Sequence, residues 1–180
     1  MSSPQHNKIA SQRWLVTTLT TQEVVSQRLH DAIVDLDRRN MADVFAAAGI
    51  PFPEEKRRKG FEVEGVFFIA FDANGRILGY LQFCRDWECS ADMYVSSIQV
   101  GPEHRNGALF RQLMAHGVRW LRQHPFRQLK THVQKSNRSA VDLYHRLGFT
   151  FLDNPKSDKS FILTADPSIL ESPFAKRLAR

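Results

Sequence analysis

The chain has 180 residues, 42% of them apolar and 24% charged, which fits one globular domain and excludes disorder over most of its length. Lys and Arg number 25 against 19 Asp and Glu, a net charge of +6 that suits nucleic acid, an acidic protein or an anionic cofactor alike. No run reaches the ~18 apolar residues of a membrane helix, and MSSPQHNKIASQR has no apolar signal segment, so a cytoplasmic protein without membrane contact is expected.

Residues 1–12 are expected to form a flexible N-terminal segment, followed by one domain over 13–165 and a C-terminal tail over 166–180. RWLVTTL at 13–19 alternates as a first strand. Thr20 or Thr21, with Glu23 close behind, offers the N-cap of a helix carrying Val24, Val25, Leu29, Ile33, Val34 and Leu36 on one side. NMADVFAAAG at 40–49 reads as a second, short helix stopped by Gly49 ahead of Pro51. KRRK at 56–59, beside PFPEE and without interleaved aromatics, reads as a solvated loop.

GVFFIAFDANGRILGYLQFC at 65–84 is the clearest local signal: two apolar runs flank Asn74-Gly75, residues that tolerate the positive φ of a hairpin turn. After the polar RDWECSAD, MYVSSIQV at 93–100 is a further strand. From Leu109, the positions Phe110, Leu113, Met114, Gly117, Val118 and Leu121 recur at helical spacing until His124-Pro125. RQLKTHVQ at 127–134 then reads as a strand, NRSAVDLYHRLG at 137–148 as a helix capped by Ser136 or Asn137, and GFTFL and KSFILT as two final strands. The order is β-α-α-β-β-β-α-β-α-β-β. The strands on either side of the helix after residue 108 should run parallel, with a right-handed crossover. The turn at 101–108 therefore lies where a strand's carboxyl end meets a helix N-terminus, a place that favours an anion.

Cys84 and Cys89, five residues apart, match no zinc spacing and read as reduced structural thiols, so no metal site is expected. Neither a Walker motif nor GxGxxG is present. Scattered Arg and Lys without a stacking strip give no reason to expect a nucleic-acid partner. The tail SILESPFAKRLAR is either an amphipathic docking segment or a frayed end.

Residues 94–114 followed by THVQKSNRSAVDLYHRLGF resemble the GNAT superfamily of acyl-CoA-dependent N-acetyltransferases, and the element order follows that family from about residue 13 to 164. The resemblance implies an α/β fold: a mixed, mostly antiparallel sheet of six to seven strands, flanked by about four helices, with one parallel pair at the cofactor site. In that family a strand ending in valine leads into a Q/R-x-x-G-x-G/A loop whose amides hold the CoA pyrophosphate. The matching residues are Val100, Arg105, Asn106, Gly107, Ala108, Leu109 and Phe110, with the family's glycines falling on Ala108 and Phe110. The Phe110 ring is expected in the core, its N–H toward the anion. NRSAVDLYHRLGF resembles N-x-x-A-x-x-L-Y-x-x-x-G-F, which assigns Asn137 and Ala140 to the pantetheine arm and Tyr144 to the neighbourhood of the thioester sulfur. Asn137 can serve equally as a helix N-cap.

The family likeness implies acetyl transfer from acetyl-CoA to a primary amine, a small molecule or a peptide, by direct attack in a ternary complex. The amides of Ile98, Gln99 and Val100 would stabilise the oxyanion and Tyr144 would protonate the leaving thiolate. An alkylamine, with a reference pKa of about 10.4, must lose a proton to attack. Where family members often carry a glutamate, this chain has Ser96 followed by Ser97. Glu62, Glu64, Glu88 and Asp92 read as solvated surface carboxylates, His132 and His145 are no better supported, and a water relay is the expectation. The acceptor should enter between residues 30–62, 84–92 and 150–160. A non-catalytic acyl-CoA-binding module is the alternative, and exposed final strands make a homodimer an expectation.

Overall fold

The computed structural model describes residues 14–105 and 107–178. Seven strands form one sheet in the order β1-β2-β3-β4-β5-β7-β6. They are β1 (Leu15–Thr20), β2 (Gly65–Phe71), β3 (Ile77–Arg85), β4 (Met93–Val100), β5 (Leu129–Gln134), β6 (Thr150–Asp153) and β7 (Ser160–Ala165). The neighbours are antiparallel except β4 and β5. Among the described residues six α-helices accompany them: α1 (Thr21–Ser26), α2 (His30–Ala47), α3 (Glu54–Lys59), α4 (Ala108–Gln123), α5 (Arg138–Leu147) and α6 (Pro173–Leu178).

Both faces of the central strands are covered, which explains why β2 and β3 are almost continuously apolar. Phe68, Leu81 and Phe83 pack against Leu109, Leu113, Val118 and Leu121 of α4, on the face that also takes α5. On the opposite face Phe67, Ile69 and Tyr80 pack against Val24 of α1 and against Ile33 and Leu36 of α2. The tail docks: Leu170 and Ala175 are buried on the α4 side, and Arg122 donates to the Leu170 carbonyl at 3.0 Å. The expected flexible segment lies outside the described residues, and so does Asn106.

Several elements differ from the sequence reading. The helix expected from residue 21 through 36 is two helices, because Arg28 takes φ 57° and the chain turns between Ser26 and His30. Its start is as expected, with Thr20 and Glu23 forming a capping box. The short helix expected at 40–49 is the continuation of α2, which runs unbroken to Ala47. KRRK is helical, not a loop: Arg58 reaches Asp31 Oδ1 at 2.6 Å and Glu54 Oε1 at 3.2 Å, so the run ties α3 to α2. In the β2–β3 hairpin only Gly75 has positive φ. Asp72 Oδ1 accepts from the amides of Asn74 (2.8 Å) and Arg76 (2.9 Å), and builds a longer loop than a two-residue turn.

The sheet splits at one place. β4 and β5 pair only at Met93–Leu129 and Tyr94–Lys130, and beyond that register they diverge. On its other side β4 stays paired with β3 to Val100, with a bulge: Gln82 faces Ser97 and Phe83 faces Val95, leaving Ser96 as the extra residue that bends the strand away. Asp92 anchors the closed end. It is 0% exposed and is held by Arg127 (2.8 and 2.9 Å) and by Lys130 Nζ (2.8 Å). The expectation that Asp92 is a solvated carboxylate is corrected here. α2 spans the open end. Asn40 Nδ2 donates to Gln99 Oε1 (2.9 Å) and to the Val100 carbonyl (3.1 Å), while Ser136 Oγ, just past β5, donates to the Val44 carbonyl (2.9 Å). The V-shaped opening is thus fixed at both ends by side chains far apart in sequence.

Candidate active site

The loop leaving β4 makes a short 3-10 turn at Pro102–His104 and enters α4 through Gly107. Gly107 has φ 84°, in the left-handed region, and a Cβ built there would lie 3.0 Å from Arg111 Nη1. The positive φ favours glycine there, while the Arg111 guanidinium over the turn could swing aside for a side chain. The first helical hydrogen bond runs from the Arg111 amide to the Gly107 carbonyl at 3.0 Å, so the amides of Ala108, Leu109 and Phe110 occupy the first turn, where the helix dipole is positive. Arg105 donates to Asn40 Oδ1 at 3.1 Å, placing its guanidinium at the junction of loop and α2. Arg111 and Asn40 are the residues of this corner that the sequence reading missed. Arg111 lies one helical turn from Gly107 and could have been found by that spacing; Asn40 had no local signal.

Leu109 is fully buried in the core. Phe110 is only half-buried and lines an apolar cavity of about 60 Å³ between α4 and α5, together with Val95, Ile98, Met114, Leu143 and Tyr144. Its ring forms a wall of that slot where the sequence reading put it in the core. Ile169 and Phe174 of the docked tail also line it.

α5 begins at Asn137, whose Oδ1 accepts from the Ala140 amide at 3.2 Å, so the cap reading holds for the oxygen and the side-chain NH₂ is left for other contacts. One and two turns further on, Leu143, Tyr144 and Leu147 face the slot. Tyr144 packs edge-on against Phe149 at 5.1 Å. Burial pushes its phenol up from the ordinary value, opposed by the Thr131 hydroxyl beside it. A phenol held protonated at neutral pH is a proton donor, not a base. Thr131 in turn donates to the Val95 carbonyl at 2.8 Å, bridging the strands just past their last pair.

The other face of the split carries different chemistry. Tyr94 and His132 alternate with residues packed toward α4 and so point away from it, and their ring centroids lie 5.7 Å apart. Trp87, 65% exposed, closes on Tyr94 at 5.0 Å. Glu88 is exposed and pairs with Lys156 at 3.6 Å, joining the β3–β4 and β6–β7 loops across the mouth. Glu62 and Glu64 are exposed as well, and His145 stacks on Phe151 at 3.9 Å on α5's outer side. Deeper on this face Asp37, 2% exposed, accepts from the Tyr80 hydroxyl at 2.5 Å and lies 3.4 Å from Arg57 Nε. Burial raises its carboxyl above the usual range, with Arg57 opposing. Buried between these partners, it fastens α2 and α3 to the sheet. Cys84 is buried, its thiol pushed up to about 11 by that burial, and both cysteines are free.

An open strand edge, a glycine turn into a helix N-terminus and an apolar slot with a phenol thus lie together at the split in the sheet. The sequence profile of the acetyltransferase (GNAT) family matches residues 31–149, and the chain belongs to that family. It is 29% identical over 103 residues to a mycothiol acetyltransferase of Saccharomonospora viridis, an alignment covering 53% of this chain and 33% of that protein. The chain thus spans about a third of that relative's length. The ribosomal-protein-S18-alanine N-acetyltransferase of Escherichia coli shares the fold at TM-score 0.60 and 19% identity, over 85% of this chain and 93% of that one. A PaiA N-acetyltransferase of Thermoplasma acidophilum, solved in complex with coenzyme A, does so at TM-score 0.61 and 14% identity, over 85% and 98%.

Proposed function

We propose that this chain moves an acetyl group from acetyl-CoA to a primary amine, on a small molecule or a peptide, by direct attack in a ternary complex. The observation that carries this reading is the split itself: β4 has no strand partner on its β5 side past Tyr94, and that bare edge runs between the Gly107 turn and Tyr144. The first-turn amides of α4, with Arg105 and Arg111, suit a pyrophosphate. The edge of β4 over Ile98, Gln99 and Val100 offers donors and acceptors to a pantetheine amide chain, with the Asn137 NH₂ group and Ala140 across from it. The apolar lining suits the thioester and excludes water from it. The amine approaches from the opposite face, between α2, α3 and the two loops joined by Glu88 and Lys156.

As the carbon–nitrogen bond forms, charge develops on the thioester oxygen, where backbone amides of β4 stabilise it. Collapse releases a thiolate, and Tyr144 supplies its proton. The test is release of CoA from acetyl-CoA in the presence of alkylamines and of short peptides with free amino termini. Tyr144→Phe should lower kcat by roughly a hundredfold while acetyl-CoA still raises the melting temperature. Tight acetyl-CoA binding with no turnover on any amine, and no effect of Tyr144→Phe, would favour the non-catalytic module.

A further inference from the structure

The glutamate that family resemblance leads one to look for is absent, and the remaining carboxylates near the split are unsuited. Asp37 and Asp92 are enclosed in ion pairs, and Glu88 is tied to Lys156 on the surface. At the apex of the split Lys130 is held in ion pairs with Asp92 and Asp86, whereas His132 makes no ion pair among the described residues. Tyr94, in the last residue pair joining β4 to β5, and His132, two residues further along β5, meet through Tyr94 Oη and His132 Nδ1 at 2.9 Å. His132 is exposed toward the mouth, whereas Thr131 beside it points to the opposite face, where it neighbours Tyr144. The Tyr144 phenol is close enough to push the Tyr94 hydroxyl upward, after burial as the main cause. The pair is thus on the acceptor's face, one strand's thickness from the phenol on the donor's face.

We infer that His132 is the base that takes the acceptor amine's proton, with its Nδ1–H donating to the Tyr94 oxygen so that the Nε2 lone pair faces the mouth. This rests on the acetyl-transfer reading above. The amine nitrogen forms a bond to the carbonyl carbon, its N–H proton passes to Nε2, and the carbon–sulfur bond breaks. The thiolate takes the Tyr144 proton. The imidazolium and phenolate left behind exchange a proton through solvent, restoring both. Tyr94 touches no reacting atom in this scheme and is a positioning residue that fixes the tautomer.

A second observation points to a ligand here. Gln134, on the same face of β5 two residues beyond His132, has its side-chain carbonyl oxygen buried with no hydrogen-bond partner among the described residues. A buried acceptor of that kind calls for a donor, and an ammonium or amine N–H supplies one. The imidazole is also kept neutral. Burial lowers its pKa first and Lys56 of α3 and Lys156 of the β6–β7 loop add to that, against Asp86 and Glu88 of the β3–β4 loop, which raise it.

The experiment compares wild type, His132→Gln and Tyr94→Phe in CoA release from acetyl-CoA, with alkylamines and a short free-amino-terminus peptide as acceptors, from pH 5 to 9. His132→Gln should lose about a hundredfold in kcat/KM, at the low end for a positioned base, while acetyl-CoA raises its melting temperature as in wild type. The acid limb of wild type, set by an ionisation below the usual histidine range, should vanish in His132→Gln and move in Tyr94→Phe, a displacement that a packing role would not produce. If wild type turns over an amine and His132→Gln stays within threefold with the same acid limb, the base assignment is wrong while acetyl transfer stands. If wild type acetylates none of these amines, the activity reading falls, and this inference with it.

Discussion

Replacing Asp92 by Asn tests what holds the closed end of the split. The carboxylate is 0% exposed and takes Arg127 on both oxygens and Lys130 on one, all within 2.9 Å. Asn keeps the shape, removes the charge and turns an NH₂ group toward cationic donors. Breaking a fully buried pair costs about 3–5 kcal/mol; here the Arg127 side chain is 65% exposed and solvent screens it, so about 2 kcal/mol is expected. For a chain of this size that is a fall of roughly 4–8 °C in melting temperature. The sign with pH is set by the carboxyl, which the Arg127 guanidinium, aided by Lys130, holds well below the usual range against burial. A depressed carboxylate stabilises the fold above its unfolded value of about 3.9 and loses that contribution as pH falls through the folded value. Urea denaturation should therefore show the full gap between wild type and Asp92→Asn at pH 7 and a narrowing gap below about pH 4. Equal stabilities at pH 7, or a gap that stays constant to the lowest pH at which wild type folds, would refute the latch.

Gly107→Ala forces a side chain into φ 84° and against Arg111, so it should cost about 1–2 kcal/mol of stability and weaken acetyl-CoA binding, read by titration calorimetry. Unchanged affinity would show that the turn does not hold the ligand. Gly79→Ala puts a Cβ 2.7 Å from the Gln99 carbonyl oxygen, a backbone atom that cannot swing away, and should destabilise by about 2 kcal/mol in denaturant melts. A neutral result would mean β3 and β4 can separate there without cost.

Local chemistry made much of this molecule readable in sequence. The β2–β3 hairpin, the apolar stripe of α4 from Leu109 to Leu121 and the cap at Asn137 each depend on residues within a few positions of one another. Two kinds of feature escaped. Arg28 at φ 57° breaks the first helix although no glycine marks the turn, and KRRK carries no periodicity that separates an exposed helix from a loop. The second kind depends on topology. Asn40 reaches β4, Ser136 reaches Val44, and Tyr94 meets His132 across 38 positions, contacts that exist only once α2 and the strands are assembled. Asp92 looked like a surface carboxylate for the same reason: its partners come from the far side of α4. Of the positions singled out by resemblance, Ile98, Phe110 and Tyr144 line one slot and Gly107 stands at the turn into α4.

The most direct test is the melting temperature with and without acetyl-CoA. At a hundred times its dissociation constant the ligand adds about 2.7 kcal/mol, or roughly 5–10 °C here, while ATP and NAD should leave the transition in place. Arg105→Glu, which sets a carboxylate beside the turn, should abolish the rise. An unmoved transition with acetyl-CoA, or an equal rise with ATP, would contradict a site built for the acyl-CoA diphosphate and thioester.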